Sequence, residues 1–283
     1  MANEKPRYDD REIQAVQSVF IEIGQVLGAF SQKFVVVGGA VPWLLFPDGD
    51  PPHVGTTDID LNLDPEALSD GEYATLVETL QEKGYERDVD DLKPFQMRRW
   101  VKVDEGKPVS VLVDLLMPRG SSGDANKEKL LANFRVQGID GGQIALTHNV
   151  IRTVHGRMPD GRDNSVELLV ATIPALLVMK GYAITGRDKE KDAYDIYYSV
   201  RSYETGPRGL ADDCRELLDI AEACKGFQKL ASKFRHPQDF GPQTVRRFCV
   251  DHNALGDLTP EQIQRDAFGQ LEAFVSHLGL PTA

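Results

Sequence analysis

Residues 34–64 read FVVVGGAVPWLLFPDGDPPHVGTTDIDLNLD, and this stretch decides the fold. It begins with a β-branched run that ends in Gly38-Gly39, after which the proline of AVPWLLF suits the first turn of a helix. Residues 46–55 are dense in proline and glycine, which predicts a loop. Residues 56–64 alternate between polar and apolar side chains, which predicts a strand. A strand, a tight turn, a helix, a loop and a second strand in this order indicate an α+β domain.

The alternating strand carries two aspartates two positions apart. Asp58 and Asp60 project from the same face, because successive side chains of a strand point to opposite faces. Two carboxylates placed in this way can chelate one hard cation such as Mg²⁺ or Mn²⁺. The alternative is a solvated polar face, which is common along exposed strands.

A third acid, Asp114, interrupts the apolar strand VSVLVDLLM at 109–117. A charge among apolar neighbours is costly unless it is paired or binds a metal ion. Residues 95–103 precede this strand across the turn DEGKP, so the two segments predict a hairpin. If the strand of Asp114 lies beside that of Asp58 and Asp60, the three carboxylates can serve two metal ions.

The glycine pair lies where a buried strand turns into a helix. Small residues at Gly38 and Gly39 let backbone N–H groups approach an anion closely, which favours a phosphate site. A purely steric use of the glycines is the alternative, since no GxGxxG or GxxxxGK[ST] motif lies nearby.

The rest of the chain divides into a mixed region and a helical one. Helical periodicity covers residues 10–30 and 69–84, and a second hairpin is predicted at 150–170. We expect an α+β domain at 1–165 and a helical domain at 166–283. The helices predicted in the second domain are 174–185, 189–201, 208–223 and 260–278.

One helical segment combines several charges. Asp188, Asp192 and Asp195 are spaced i, i+4 and i+7, which would align them on one face of a helix. Lys180 lies on the preceding predicted helix. The alternative is a solvated charged helix with pairs inside the helix.

The strand ending in Gly38-Gly39, the strand with Asp58 and Asp60, and the later strand with Asp114 together resemble the core of the polymerase-β-like nucleotidyltransferase superfamily. The segment LLVMKGYAITGRDKEKDAYDIYYSV at 176–200 resembles the second motif of its AbiEii branch. Members of that branch include toxins of toxin–antitoxin and phage-abortive systems, some of which transfer nucleotides to RNA.

The resemblance implies a mixed-sheet core followed by a helical lobe. It also implies metal-dependent transfer of a nucleoside monophosphate from a nucleoside triphosphate to an acceptor hydroxyl. Asp58, Asp60 and Asp114 would hold Mg²⁺ or Mn²⁺. Lys180 would neutralise triphosphate charge, and Asp192 or Asp195 would orient or activate the acceptor. The residues expected to contact the nucleotide are Gly38, Gly39, Thr57, Lys191 and Asp195.

The acceptor stays open at this point. A net charge of −12 argues against binding nucleic acid through bulk charge, so RNA contacts would be local. An RNA 3′ end such as that of tRNA, a small molecule such as an aminoglycoside, and a protein hydroxyl would all suit the same core. The candidate basic contacts are Arg98, Arg99, Lys102, Lys225, Lys229, Lys233, Arg235, Arg246 and Arg247.

Two further expectations concern partners and classes of function. A cognate antitoxin is implied by the AbiEii resemblance. A catalytically silent nucleotide-binding or partner-binding module is the competing class, and three acids around a phosphate-sized turn argue against it. Shared fold does not settle activity.

The remaining composition restricts the setting. The three cysteines lack CxxC spacing, which supports neither a disulfide framework nor a zinc site. No apolar run approaches the roughly 20 residues that span a bilayer, and the N-terminus does not have the pattern of a secretory signal. We therefore expect a cytoplasmic protein with no membrane partner.

Overall fold

The computed structural model describes residues 10–120, 129–131 and 134–280. Within these residues the chain forms two compact units. The sheet unit contains residues 10–41 and 55–172, and the helical unit contains residues 42–54 and 173–280. Nowhere in this part of the chain does a helix combine the length and apolarity that a bilayer crossing requires.

The sheet unit is built around a mixed sheet to which eight described strands contribute. The order is β5-β6-β4-β2-β1-β8-β7, and β3 pairs with β4 outside this path. β1 is antiparallel to β2, whereas β4 is parallel to β2 and β8 is parallel to β1. The strands are β1 Phe34–Val37, β2 Asp58–Leu63, β3 Gln96–Val101, β4 Val109–Pro118, β5 Lys129–Leu131, β6 Phe134–Ile139, β7 Asn149–Arg157 and β8 Asp163–Ala171.

Both predicted hairpins are present. β3 and β4 pair antiparallel, as expected for residues 95–103 and 109–117. β7 and β8 pair antiparallel along their whole length, as expected for 150–170. An α+β architecture with a mixed sheet and a helical C-terminal region is therefore confirmed.

Two longer helices pack in the sheet unit. α1 (Asp10–Val26) buries Val19, Phe20 and Ile23, so its apolar stripe contributes to the core as the helical period predicts. α3 (Asp70–Glu82) begins at Ser69, whose hydroxyl accepts from the Glu72 N–H in a capping box. The helix α2 (Ala40–Leu45) after the glycine pair has only six residues.

Three short elements have no counterpart in the sequence prediction: β5, β6 and α4 (Gly142–Thr147). They have only three to six residues each, too few for a clear periodicity, and Gly141 at the start of α4 has a φ of 78°. α4 explains an unexpected burial. Asn62 belongs to the polar face of β2 but is fully buried, and its Nδ2 donates to the Gly142 carbonyl at 2.8 Å.

The helical unit confirms most of the predicted helices, and α10 has the predicted bounds. The predicted helix 208–223 is wrong, because the chain leaves helical geometry at Ile220. No glycine or proline marks that break, so it is invisible in the local pattern. α9 and most of α8 lie outside the predicted helices. The helices are α5 Ile173–Gly186, α6 Glu190–Arg201, α7 Gly206–Cys214, α8 Ala221–Ala231, α9 Phe240–Asp251 and α10 Pro260–Leu278.

The predicted domain boundary between residues 165 and 166 falls inside β8. The compact sheet unit continues to residue 172, where the strand has ended. Residues 42–54, which connect β1 to β2, belong to the helical unit.

Candidate functional site

Two of the predicted metal-binding aspartates are direct neighbours in the sheet. Asp60 of β2 and Asp114 of β4 are register partners in a parallel pair of strands. Asp58, two positions before Asp60, projects from the same face. Adjacent strands lie only about 4.8 Å apart, so three carboxylates meet on one small area, which we call the carboxylate site.

Burial and neighbouring like charges raise the pKa of one member of this site. Burial and the nearby carboxylates of Asp60 and Asp58 raise the pKa of Asp114 far above that of an exposed aspartate. A hydrogen bond from Gln96 opposes this shift. The raised pKa of Asp114 shows that the carboxylates of this site disfavour one another's charge, and a bound cation would offset that repulsion.

Gly38 lies directly against the carboxylate site. Its φ of 73° is in the left-handed region that favours glycine. A Cβ at this position would lie only 1.8 Å from Oδ2 of Asp60. The backbone at the end of β1 therefore lies so close to Asp60 that no side chain fits between them. α2 has only six residues, so the feature that would admit a phosphate here is the close approach of the backbone and not a helix dipole.

Two threonines fix the start of β2. The hydroxyl of Thr57 donates to Oδ1 of Asp58 at 3.4 Å. The hydroxyl of Thr56 donates to the Asp58 carbonyl at 3.1 Å. The structure thus places Thr57, one of the predicted nucleotide contacts, beside a predicted metal ligand.

Gln96 is a member of the site that is absent from the predicted set. It is the register partner of Asp114 across the β3–β4 hairpin, and its Nε2 donates to Oδ1 of Asp114 at 2.8 Å. Lys93 is close enough to lower the pKa of Asp114 slightly. A signal exists in the sequence, since folding the hairpin about residues 104–108 brings residue 96 opposite Asp114.

Asp60 and Asp114 are the residues of this site that could hold a hard cation such as Mg²⁺ or Mn²⁺. No group of three or more histidine, cysteine, aspartate or glutamate side chains in the described chain is arranged as a ready metal cage. Mg²⁺ usually takes one or two carboxylates and completes its octahedron with water and substrate phosphates. Asp60 and Asp114 supply such a pair of hard oxygen donors.

Four charged residues of the second motif lie in the helical unit and are buried, namely Lys180, Lys191, Asp192 and Asp195. Lys180 Nζ of α5 lies 2.7 Å from Oδ1 of Asp192 and 2.6 Å from Oδ2 of Asp195, both on α6. Lys191 Nζ lies 2.9 Å from Oδ1 of Asp195. Arg187 Nε lies 2.7 Å from Oδ2 of Asp192. We call these five residues, together with His53, the buried ion cluster.

Charges inside the buried ion cluster compensate one another. Burial alone would raise the pKa of Asp192, but Lys180 and Arg187 outweigh it and lower that pKa to about 2. The pKa of Asp195 is likewise lowered, because Lys180, Lys191 and His53 outweigh its burial. Both aspartates are fully buried and ionised.

The buried cluster corrects two expectations from the sequence. A solvated charged face is wrong for Asp192 and Asp195, which are fully buried. Asp188 does not share their helical face, because α6 begins only at Glu190 and Asp188 is exposed before it. Lys180, expected at the triphosphate, uses its ammonium group on two aspartates.

His53 attaches the loop before β2 to α6. Its Nε2 lies 3.0 Å from Oδ1 of Asp195, and burial lowers the pKa of His53 to about 4, so the ring is neutral at pH 7. Tyr198 donates its hydroxyl to the Pro51 carbonyl, and the Val54 N–H donates to the Tyr194 hydroxyl. The only local hint of this role was a histidine within a proline-rich loop.

Several candidate RNA-binding residues are paired with acids. Arg98 contacts Glu86 and Asp91, and Arg99 contacts Glu22 through two nitrogens. In the helical unit, two adjacent arginines also face acids: Arg246 pairs with Glu261, and Arg247 pairs with Glu190. These pairs reduce the positive charge available to RNA at both places.

Comparison with known proteins yields structural likeness only. No protein-family model and no curated protein matches the chain. One similar solved structure is an antigenic nucleotidyltransferase-like protein from Paracoccidioides brasiliensis, with 17% identity over 75% of this chain and 91% of that chain, and a TM-score of 0.40. Another is JHP933 from Helicobacter pylori, with 12% identity over 93% of each chain and a TM-score of 0.40. Similarity at this level assigns no activity.

Proposed function

We propose that the chain is a metal-dependent nucleotidyltransferase of the polymerase-β-like superfamily. One observation carries the proposal: Asp60 and Asp114 lie side by side on parallel strands while the backbone of Gly38 is pressed against Asp60. Clustered carboxylates beside a closely approaching glycine backbone suit a metal ion that accompanies a triphosphate.

In the proposed reaction, the acceptor oxygen forms a bond to the α-phosphorus. The bond between the α-phosphorus and the oxygen that bridges it to the β-phosphate breaks. Pyrophosphate leaves, and Asp114 takes the proton of the acceptor hydroxyl. Asp60 and Asp114, with Asp58 beside them, would hold Mg²⁺ or Mn²⁺, which would supply charge neutralisation on the phosphates. Gly38 and Gly39 would admit the phosphates against the backbone, with Thr57 orienting Asp58.

For the second motif we propose a supporting role in place of the nucleotide and acceptor contacts that the resemblance implies. Lys180, Lys191, Asp192 and Asp195 are buried and bound to one another, which supports a role in joining α5, α6 and the loop that carries His53. Arg187 is the member of the cluster with a largely exposed side chain, at 56%.

For the acceptor and the partner we follow the resemblance to the AbiEii branch. It favours an RNA 3′ end, including that of tRNA, as acceptor and a cognate antitoxin as partner. The second candidate is a small-molecule acceptor, because acids already pair with four of the arginines considered for RNA: Arg98, Arg99, Arg246 and Arg247.

The decisive test uses each nucleoside triphosphate in turn, labelled at the α-phosphate, with Mg²⁺ and total RNA. Label should appear on RNA and disappear with Asp58→Ala or Asp60→Asn. A parallel reaction with γ-labelled triphosphate should transfer nothing, which separates nucleotidyl transfer from phosphoryl transfer. Label on a small molecule from a cell extract would select the second acceptor. Binding of triphosphate with no transfer to any acceptor would refute the enzyme and favour the silent module.

A further inference from the structure

We propose that Gln96 is a positioning residue that holds one carboxylate oxygen of Asp114, so that the other oxygen is directed to the metal–nucleotide complex. This inference rests on the proposed function. Gln96 belongs to no recognisable motif, and only the register of the β3–β4 hairpin connects it with Asp114.

The contact between the two side chains is direct and protected. Gln96 and Asp114 face each other in the register of β3 and β4, and Nε2 of Gln96 lies 2.8 Å from Oδ1 of Asp114. Gln96 is only 8% exposed. A buried hydrogen bond to a carboxylate is stronger than one in solvent, so it restrains the rotation of the Asp114 side chain.

The other end of the amide is also fixed, which determines its orientation. Oε1 of Gln96 accepts from the Lys93 N–H at 3.1 Å, and the Gln96 N–H donates to the Lys93 carbonyl at 2.9 Å. The adjoining Phe95 carbonyl accepts from the Leu115 N–H at 3.0 Å. A flipped amide would place its NH₂ against the Lys93 N–H and its oxygen against Asp114. The NH₂ group would then face another donor, the oxygen would face another acceptor, and only the observed orientation of the amide is stable.

An uncharged donor suits this position better than a cation does. Lysine or arginine at residue 96 would neutralise Asp114 and compete with a metal ion for its charge. A glutamine amide restrains the carboxylate and leaves its charge for the metal. This is the arrangement by which outer partners orient metal-binding carboxylates, and their removal typically weakens metal binding by about 10- to 100-fold.

The test compares Gln96→Met, which keeps the size and removes the donor, with Gln96→His, which keeps an N–H donor. The control is Gln17→Met. It deletes another hydrogen bond donated by a side-chain amide in the same unit, from Gln17 Nε2 to the His155 carbonyl. Binding of Mn²⁺ with a non-hydrolysable triphosphate analogue is measured by electron paramagnetic resonance, and transfer kinetics are measured separately.

We expect Gln96→Met to weaken Mn²⁺ binding by about tenfold and to lower kcat more than it raises KM for the triphosphate. Gln96→His should recover most of the binding, and Gln17→Met should match the wild type. Mn²⁺ binding by Gln96→Met within twofold of wild type, or equal losses in Gln96→Met and Gln96→His, would overturn the inference.

Two outcomes separate this inference from the proposed function. Wild-type protein that binds Mn²⁺ with the analogue but transfers nothing refutes the enzyme, while the binding series still tests Gln96. Wild-type transfer with unchanged Mn²⁺ binding in Gln96→Met refutes the role of Gln96 alone. Absence of Mn²⁺ binding by the wild type refutes both.

Discussion

The carboxylate site of the sheet unit and the buried ion cluster of the helical unit use aspartates in opposite ways. In the carboxylate site, like charges are adjacent, and the pKa of Asp114 is raised by burial and by Asp60. In the buried ion cluster, cations alternate with anions, and the pKa values of Asp192 and Asp195 are lowered.

This difference shows how charge balance distinguishes the carboxylate site from the buried ion cluster. Acids that raise one another's pKa gain stability from an incoming cation, whereas a cluster in which cations already lower the pKa values of the acids gains little. In the sequence, the spacing of Asp58 and Asp60 and the spacing of Asp192 and Asp195 indicated chemistry equally well. Only burial and partners distinguish them.

The largest expected effect comes from removing one charge of the carboxylate site. Asp60→Asn keeps the shape that fits against Gly38 but removes a metal ligand, so transfer should fall by roughly 10³-fold or more, about 4 kcal/mol. The free energy of unfolding should stay within about 1 kcal/mol of wild type or rise, because repulsion with Asp114 is relieved. Transfer assays and urea unfolding measure the two quantities. An undiminished rate would remove Asp60 from the mechanism.

Removal of a cation from the buried ion cluster should mainly lower the free energy of unfolding. Lys180→Met leaves two buried carboxylates without their shared counter-charge, which typically costs about 3–5 kcal/mol of unfolding free energy. Urea unfolding followed by far-ultraviolet circular dichroism measures this loss. The control is Lys189→Met, at an exposed lysine, with an expected change below about 0.5 kcal/mol. A loss under 1 kcal/mol for Lys180→Met would contradict the structural role.

Gly38 tests whether the geometry of the carboxylate site is set by its backbone. Gly38→Ala should displace Asp60 and lower transfer by roughly 10²-fold. Gly161→Ala is the matched control, because Gly161 has a φ of 87° and open space around its missing Cβ. Both variants should lose about 1 kcal/mol of stability from the left-handed backbone. Gly38→Ala should lose more than Gly161→Ala because its Cβ collides with Asp60, and only Gly38→Ala should lose activity. Equal transfer rates in the two variants would show that the contact with Asp60 is unimportant.

The smallest expected effect concerns acidification of the buried ion cluster. Burial keeps the pKa of His53 at about 4, whereas unfolded histidine titrates at about 6.5. Between these values the unfolded chain binds a proton that the folded chain does not, so stability falls as the pH drops. His53 should contribute a loss of about 2 kcal/mol between pH 7 and pH 5. Asp192 and Asp195, whose pKa values are lowered, lose their contribution only below about pH 4.

Urea unfolding at pH 7, 6 and 5 measures this loss, with His53→Gln as the comparison variant. His53→Gln should show a shallower dependence on pH over this range. The same slope in both proteins would exclude His53 as its source.

Sequence periodicity predicted the parts of the fold that depend on neighbouring residues. The glycine turn after β1, the strand with Asp58 and Asp60, and both hairpins follow local patterns, and the hairpin places Asp114 where its strand can join β2. The parallel pairing of β2 with β4 depends on residues far apart in the sequence. Local patterns do not predict it, so the meeting of Asp114 with Asp58 and Asp60 was predicted only if the two strands are neighbours.

What sequence reasoning missed depends on tertiary contacts. Gln96 becomes part of the site through the register of a hairpin, and His53 through a contact with α6 far along the chain. The burial of Asp192 and Asp195 is decided by packing within the helical unit, which no charge spacing reveals. The break at Ile220 likewise carries no local signal.

The attachment of residues 42–54 to the helical unit has a consequence for the order of folding. His53 and Asp195 are 142 positions apart, so during synthesis the loop leaves the ribosome long before its partner helix exists. Closing so long a segment costs chain entropy that only later contacts repay. This loop therefore has no partner until α6 has been made, and the helical unit reaches its complete structure only after residues 173–278 have left the ribosome.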